Sequence, residues 1–174
     1  MTRRFITAIL LLAGLLASGG SDLSACGDKS LAAGGIRMQR ALAARYPASV
    51  LIYTPSASRL NGAAHELDLQ KTLRLVGHTY REVASETDLQ VQVDSGRYNI
   101  LLADIADAAA LQSRFDSSAS RVVIIPVLYN PTKAEAAGAA KRGRFLIKSP
   151  GRAAQYLTTI AEAVASRGAT PRKG

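Results

Sequence analysis

Few side chains in this chain have the type and spacing that chemistry requires. Cys26 is the sole cysteine, and no histidine lies near it in sequence to take its proton, so a thiol nucleophile would lack its base. His65 and His78 are the only histidines; their spacing matches no metal-ligand motif, and both read as helix-end or surface residues. The chain has no Gly-x-Ser-x-Gly elbow and no Walker-type phosphate loop. Two features remain. Thr54-Pro55-Ser56-Ala57-Ser58 is a hydroxyl-rich run after an apolar segment, and hydroxyls with backbone amides at a helix start suit an anion. Asp104 stands near the end of the apolar run Tyr98 to Ile105, where a carboxylate serves as a strand-end cap, an ion-pair partner or a reactive group. The residues themselves assign no catalytic role, no metal and no cofactor, and the chain reads as a non-enzyme.

Positioning these residues falls to a regular alternation of elements. Ser49 to Tyr53, Thr79 to Val83, Tyr98 to Ile105, Arg121 to Leu128 and Arg144 to Lys148 read as strands. The third and fourth are continuously apolar, as strands covered on both faces are. Helical spacing separates them: Leu69, Leu73 and Val76 ending at Gly77; Ser85 capping a segment with Leu89 and Val93, where alternation also permits a strand; Ala108 to Phe115; an alanine-rich helix opened by Asn130-Pro131 and closed by Gly143; and Arg152 to Arg167, stopped by Gly168. Strands alternating with helices require parallel pairing through right-handed crossovers, hence a three-layer α/β/α sandwich around a five-stranded parallel sheet. Reactive groups then belong at the carboxyl ends of the strands, near the point where the strand order reverses.

The chain has 174 residues, 48% of them hydrophobic, with 22 Lys+Arg against 13 Asp+Glu. That suffices for one globular core, and a single cysteine excludes a disulfide-stapled or Cys-rich zinc fold. The basic excess is scattered and lacks stacking aromatics, so nucleic-acid binding is not expected. Arg3 and Arg4 precede an uncharged run from Phe5 to Ser21, the layout of an export signal, and the run is shorter than the roughly 20 residues a membrane span needs. The expected organisation is a signal peptide over 1–25, an extension with a short basic helix packed outside the sheet over 26–47, an α/β domain over 48–167 and a disordered basic tail over 168–174. The product is exported to the periplasm or anchored to the envelope.

Two resemblances refine this reading. Leu23-Ser24-Ala25-Cys26 resembles the lipobox of bacterial lipoproteins, which implies lipidation of Cys26; ordinary signal-peptidase cleavage nearby competes with it. Residues 49–164 are similar to the receiver domain of bacterial response regulators, a flavodoxin-like fold. Tyr98-Asn99-Ile100-Leu101-Leu102-Ala103-Asp104-Ile105 resembles the family's third strand, and Phe145-Leu146-Ile147-Lys148-Ser149-Pro150 its fifth strand and Lys-Pro turn, with Ser149 splitting that pair. The resemblance implies that Asp104 matches the phosphoacceptor and Lys148 the lysine that contacts the acyl phosphate. The acids that follow the first strand in receivers are absent from Tyr53 to Ser58, and phosphoryl transfer depends on the cation they hold. Asp104 is therefore expected to be a degenerate, inert site. The family's partner face implies an interaction surface at Arg144, Phe145, Arg152 and Tyr156, for an unidentified envelope protein. The expected function is an exported, non-catalytic interaction or regulatory module, with membrane contact only through a lipid on Cys26. One alternative is a flavodoxin-like protein holding a flavin or another small ligand beside Thr54, Ser56 and Asp104; a second is a conventional phosphorylated receiver.

Overall fold

The computed structural model describes residues 24–116, 122–139 and 145–168. The export signal, Arg144 and the tail beyond Gly168 lie outside them. Met1–Gly34 and Gly35–Gly174 form two compact units. Within the second, five strands, β1 (Ser49–Tyr53), β2 (Thr79–Val83), β3 (Ile100–Asp104), β4 (Val123–Tyr129) and β5 (Ile147–Ser149), pair in parallel in the order β2-β1-β3-β4-β5. Among the described residues the helices are α1 (Ser24–Arg45), α2 (Leu60–Glu66), α3 (Leu69–Val76), α4 (Glu86–Asp94), α5 (Ile105–Phe115), α6 (Lys133–Ala139) and α7 (Ala153–Gly168).

Alternation along the strands divides the core in two. One side buries Val50, Ile52, Ile100, Leu102, Ile125 and Ile147 under α2, α3 and α7, through Leu60, Leu73 and Tyr156 among others. The other buries Leu51, Tyr53, Leu101 and Ala103 under α4 and α5, through Leu89, Val93, Leu111 and Phe115. Every residue of β3 is buried, which explains its uninterrupted apolar run.

The 89–93 stretch is helical as its Ser85 cap predicts, the hydroxyl accepting the Asp88 amide at 3.1 Å to start α4. Other elements depart from the sequence expectation. Asn130 takes a left-handed turn at φ 46°, and the helix after it is opened by Thr132. The Thr132 amide donates to Glu135 Oε2 at 2.8 Å while the Glu135 amide donates to the Thr132 hydroxyl at 3.2 Å, a reciprocal capping box. β5 pairs only from Ile147, because the burial signalled by Phe145 is met by packing against the first core rather than by a ladder. That ladder begins at Val127, beyond Pro126, which has no N–H to offer. The later part of α1 packs on the first core: Ala43 is in it, and Gln39 Nε2 donates to Thr158 Oγ1 at 3.2 Å. The compact unit starts at Gly35.

His78 is buried, contrary to expectation, and its Nδ1 accepts the Ala48 amide at 3.2 Å just ahead of β1. That bond needs a neutral ring, and burial pushes the imidazole below its ordinary value. Above about pH 6.5 neither the folded nor the unfolded chain carries the proton. Below it the unfolded chain binds a proton that the folded chain resists, so folding stability falls as the pH drops from about 6.5 toward 5. Urea denaturation across this range should show that loss, and His78→Asn should flatten the contribution.

Candidate functional site

The strand order reverses between β1 and β3, and there the loop leaving β1 meets the end of β3. Asp104 ends β3 and is 3% exposed. Its Oδ1 accepts the Ala106 amide at 3.0 Å, capping α5, and its Oδ2 accepts the Arg59 amide at 2.8 Å. The Arg59 guanidinium stands over the same carboxylate, Nε to Oδ2 at 3.8 Å, and reaches Glu135 Oε1 through NH1 at 3.3 Å. A buried carboxylate needs this combination of amides and a neighbouring cation. Glu135 is held below the usual carboxylate range, chiefly by the Thr132 amide and hydroxyl and then by Arg59. Arg59 thus ties the β1–α2 loop, the end of β3 and the start of α6 together.

The preceding loop is also internally engaged. The Thr54 hydroxyl turns to Glu82 Oε1 at 2.9 Å, the Thr54 amide bonds the Val83 carbonyl, and the Ser58 hydroxyl accepts the Leu60 amide. Ser56 is exposed. Thr54, Ser56 and Asp104 line neither the cavity of about 310 Å³ bounded by Ala108, Gln112, Ile124, Pro126, Ala139 and Phe145 nor the open one of about 620 Å³ bounded by His65, Asp68 and Glu82. Beside Asp104, burial and the charges of Asp104 and Glu86 push the Asp107 carboxyl up, and Tyr53 is raised chiefly by burial. Among the described residues no group of three or more acids, histidines and cysteines is arranged to hold a metal ion.

Lys148 does not approach Asp104. Asp104 pairs with Val127, and Val127 with Ile147, so these three side chains share one face of the parallel sheet. Lys148, one residue on, faces the other way; it is exposed and makes no ion pair among the described residues. Ser149 occupies the Asp104 side instead, buried, with its hydroxyl unpartnered among the described residues. The expected interaction face is also altered. Tyr156 is 0% exposed and belongs to the core, so it cannot meet a partner. Phe145 is half-buried and Arg152 exposed. Cys26 lies in α1.

Sequence reasoning missed Arg59 and Glu135. The Thr132-x-x-Glu135 capping box was legible, but the pairing of Glu135 with Arg59 spans elements and leaves no local trace.

No protein-family model matches the chain, and no curated protein matches it. Among solved structures, the signal receiver domain of a Vibrio parahaemolyticus protein assigned as a Luxo repressor superposes with a TM-score of 0.53 at 9% identity, covering 70% of this chain and 93% of that one. An orphan response regulator of H. pylori gives 0.47 at 23% identity over 67% and 95%, and a response regulator receiver protein from Burkholderia phymatum gives 0.47 at 14% over 67% and 95%. The fold is the receiver-like, flavodoxin-like α/β sandwich.

The geometry ranks the substitutions at this site. Asp104→Ala orphans two amides and should cost about 2–4 kcal/mol in chemical denaturation. Asp104→Asn keeps one acceptor and should cost less. Arg59→Ala leaves the backbone bond in place and removes a guanidinium whose side chain is 41% exposed, so about 1 kcal/mol or less is expected.

Proposed function

We propose that this chain is an exported receiver-like domain that transfers no phosphoryl group and acts as an interaction or regulatory module at the cell envelope. The observation that carries the non-catalytic part is the state of Asp104, whose two oxygens accept backbone amides while Arg59 stands over them. Attack on a phosphodonor requires an accessible carboxylate oxygen, together with a cation that neutralises the transferring group. Here the carboxylate is 3% exposed and each oxygen already accepts a backbone amide, the neighbouring positive charge is a tethered guanidinium, and the run from Tyr53 to Ser58 offers no carboxylate to hold a metal. Lys148 on the opposite face of the sheet supports the same reading. The export part rests on Arg3 and Arg4 ahead of the apolar run.

Incubation with magnesium and a small acyl phosphodonor should leave the protein free of any acid-labile adduct. Stoichiometric labelling that vanishes in Asp104→Asn would overturn the proposal. Mass spectrometry of the native protein should find a chain beginning near Cys26, whereas an intact Met1 terminus in the cytosol would refute export.

A further inference from the structure

We propose that the outward face of α1 and α3 is a docking surface for an anionic lipid bilayer. From Gly35 to Arg45 and from Leu69 to Val76 the sequence carries Arg37, Arg40, Arg45, Lys71 and Arg74 and no acid. All five are exposed. Among the described residues only Lys71 is ion-paired, to Asp68 at 3.7 Å. The two helices are bridged where Arg40 Nε donates to the Leu75 carbonyl of α3 at 3.1 Å. Gln39 and Ala43 turn inward, which directs Arg37, Ala41, Ala44 and Arg45 outward at 100° per residue. Arg40 also holds the Leu75 carbonyl, Arg45 lies over the Tyr46 ring and Arg74 over the Tyr80 ring, contacts that leave their charge exposed to solvent.

Exposed apolar side chains accompany the cations, Met38 on the same side of α1 as Arg45 and Leu75 next to Arg74 on α3, while Ile36 lies on the inner flank of α1. Ile36, Met38 and Leu75 are 41%, 60% and 48% exposed, and they are three of the four large hydrophobic residues exposed among the described residues. Cations interspersed with isolated apolar side chains match a bilayer, which offers a plane of phosphates with hydrocarbon just beneath it. An acidic protein would need apolar groups matched in position to Met38 and Leu75 as well as its charges, whereas an anionic bilayer offers both to any arrangement. With a lipid on Cys26, the face would supply the second attachment that a single lipid chain needs for stable binding. The envelope location rests on the export reading; the surface chemistry does not depend on whether Asp104 is inert.

The test is sedimentation of the full chain with phosphatidylcholine vesicles, alone or with about a third phosphatidylglycerol. Wild type should bind the anionic vesicles preferentially, and the preference should fall steeply in 1 M salt, where the screening length is about 3 Å. Arg37→Glu with Arg45→Glu should weaken partitioning roughly 20-fold or more, since each cation near an anionic surface contributes about fivefold. Arg97→Glu with Arg152→Glu, an equal charge change off this face, should retain binding. Met38→Ser should reduce the salt-resistant remainder, and circular dichroism checks that each variant is folded. The proposal is overturned if neutral and anionic vesicles bind equally, if the two double variants lose equally, or if the protein binds a soluble polyanion and no vesicle. Loss of phosphodonor inertness would leave these results untouched, so the two proposals fail separately.

Discussion

A carboxylate buried at the edge of a sheet must be neutralised where it stands, and the solution at Asp104 organises the surrounding chain. Two backbone amides from different elements converge on its oxygens, one from the start of α5 and one from the loop that follows β1. The Arg59 side chain adds positive charge and carries the connection on to Glu135 at the start of α6. Removing the carboxylate therefore leaves two donors without acceptors at a crevice formed by three elements, whereas removing the guanidinium takes away a half-exposed charge. The asymmetry follows from solvation: water replaces an exposed ion-pair partner readily, and cannot reach a buried amide as easily.

The same arrangement bears on chemistry at this edge. β3 ends on an acid, and what that acid can do depends on what faces it. A mobile hydrated cation can be exchanged and can follow charge as it moves to a phosphoryl oxygen. A guanidinium fixed to the loop, with a second carboxylate holding its far end, has less freedom to do so. The lysine that chain order would put beside the acid is turned away because strand side chains alternate and β5 meets β4 in the register Val127 with Ile147. A shift of one residue in that register would exchange the roles of Lys148 and Ser149.

The opposite end of the sheet is held by different polar contacts. His78 accepts the Ala48 amide, and the Asn99 side chain accepts the Ser49 amide at 2.9 Å, so the entry to β1 is fixed by polar side chains from the residues preceding β2 and β3, while the Arg167 guanidinium donates to the Asn99 carbonyl. The two ends therefore respond differently to pH and salt. The buried imidazole is sensitive to acid; the Arg59 pairs, partly exposed, are the ones that salt screens.

The number of strands, their succession along the chain and their parallel pairing in a three-layer sandwich were legible from periodicity, because strands buried on both faces, such as β3, are apolar throughout and a crossover helix repeats near 3.6 residues; the receiver likeness rested on the resemblance of 98–105 and 145–150. The sequence by itself also determined that Tyr53 to Ser58 lacks acids, a fact of composition that no folding can change. Contacts between elements set the rest: His78 was buried, Ala43 of α1 met the first core, and β5 began at Ile147. Arg59 reached Asp104 and Glu135 across 45 and 76 residues of sequence. Local periodicity reports which residues want burial and which geometry the backbone prefers; which charges meet, and on which face of a strand a side chain emerges, depends on register and on contacts between elements far apart in the chain.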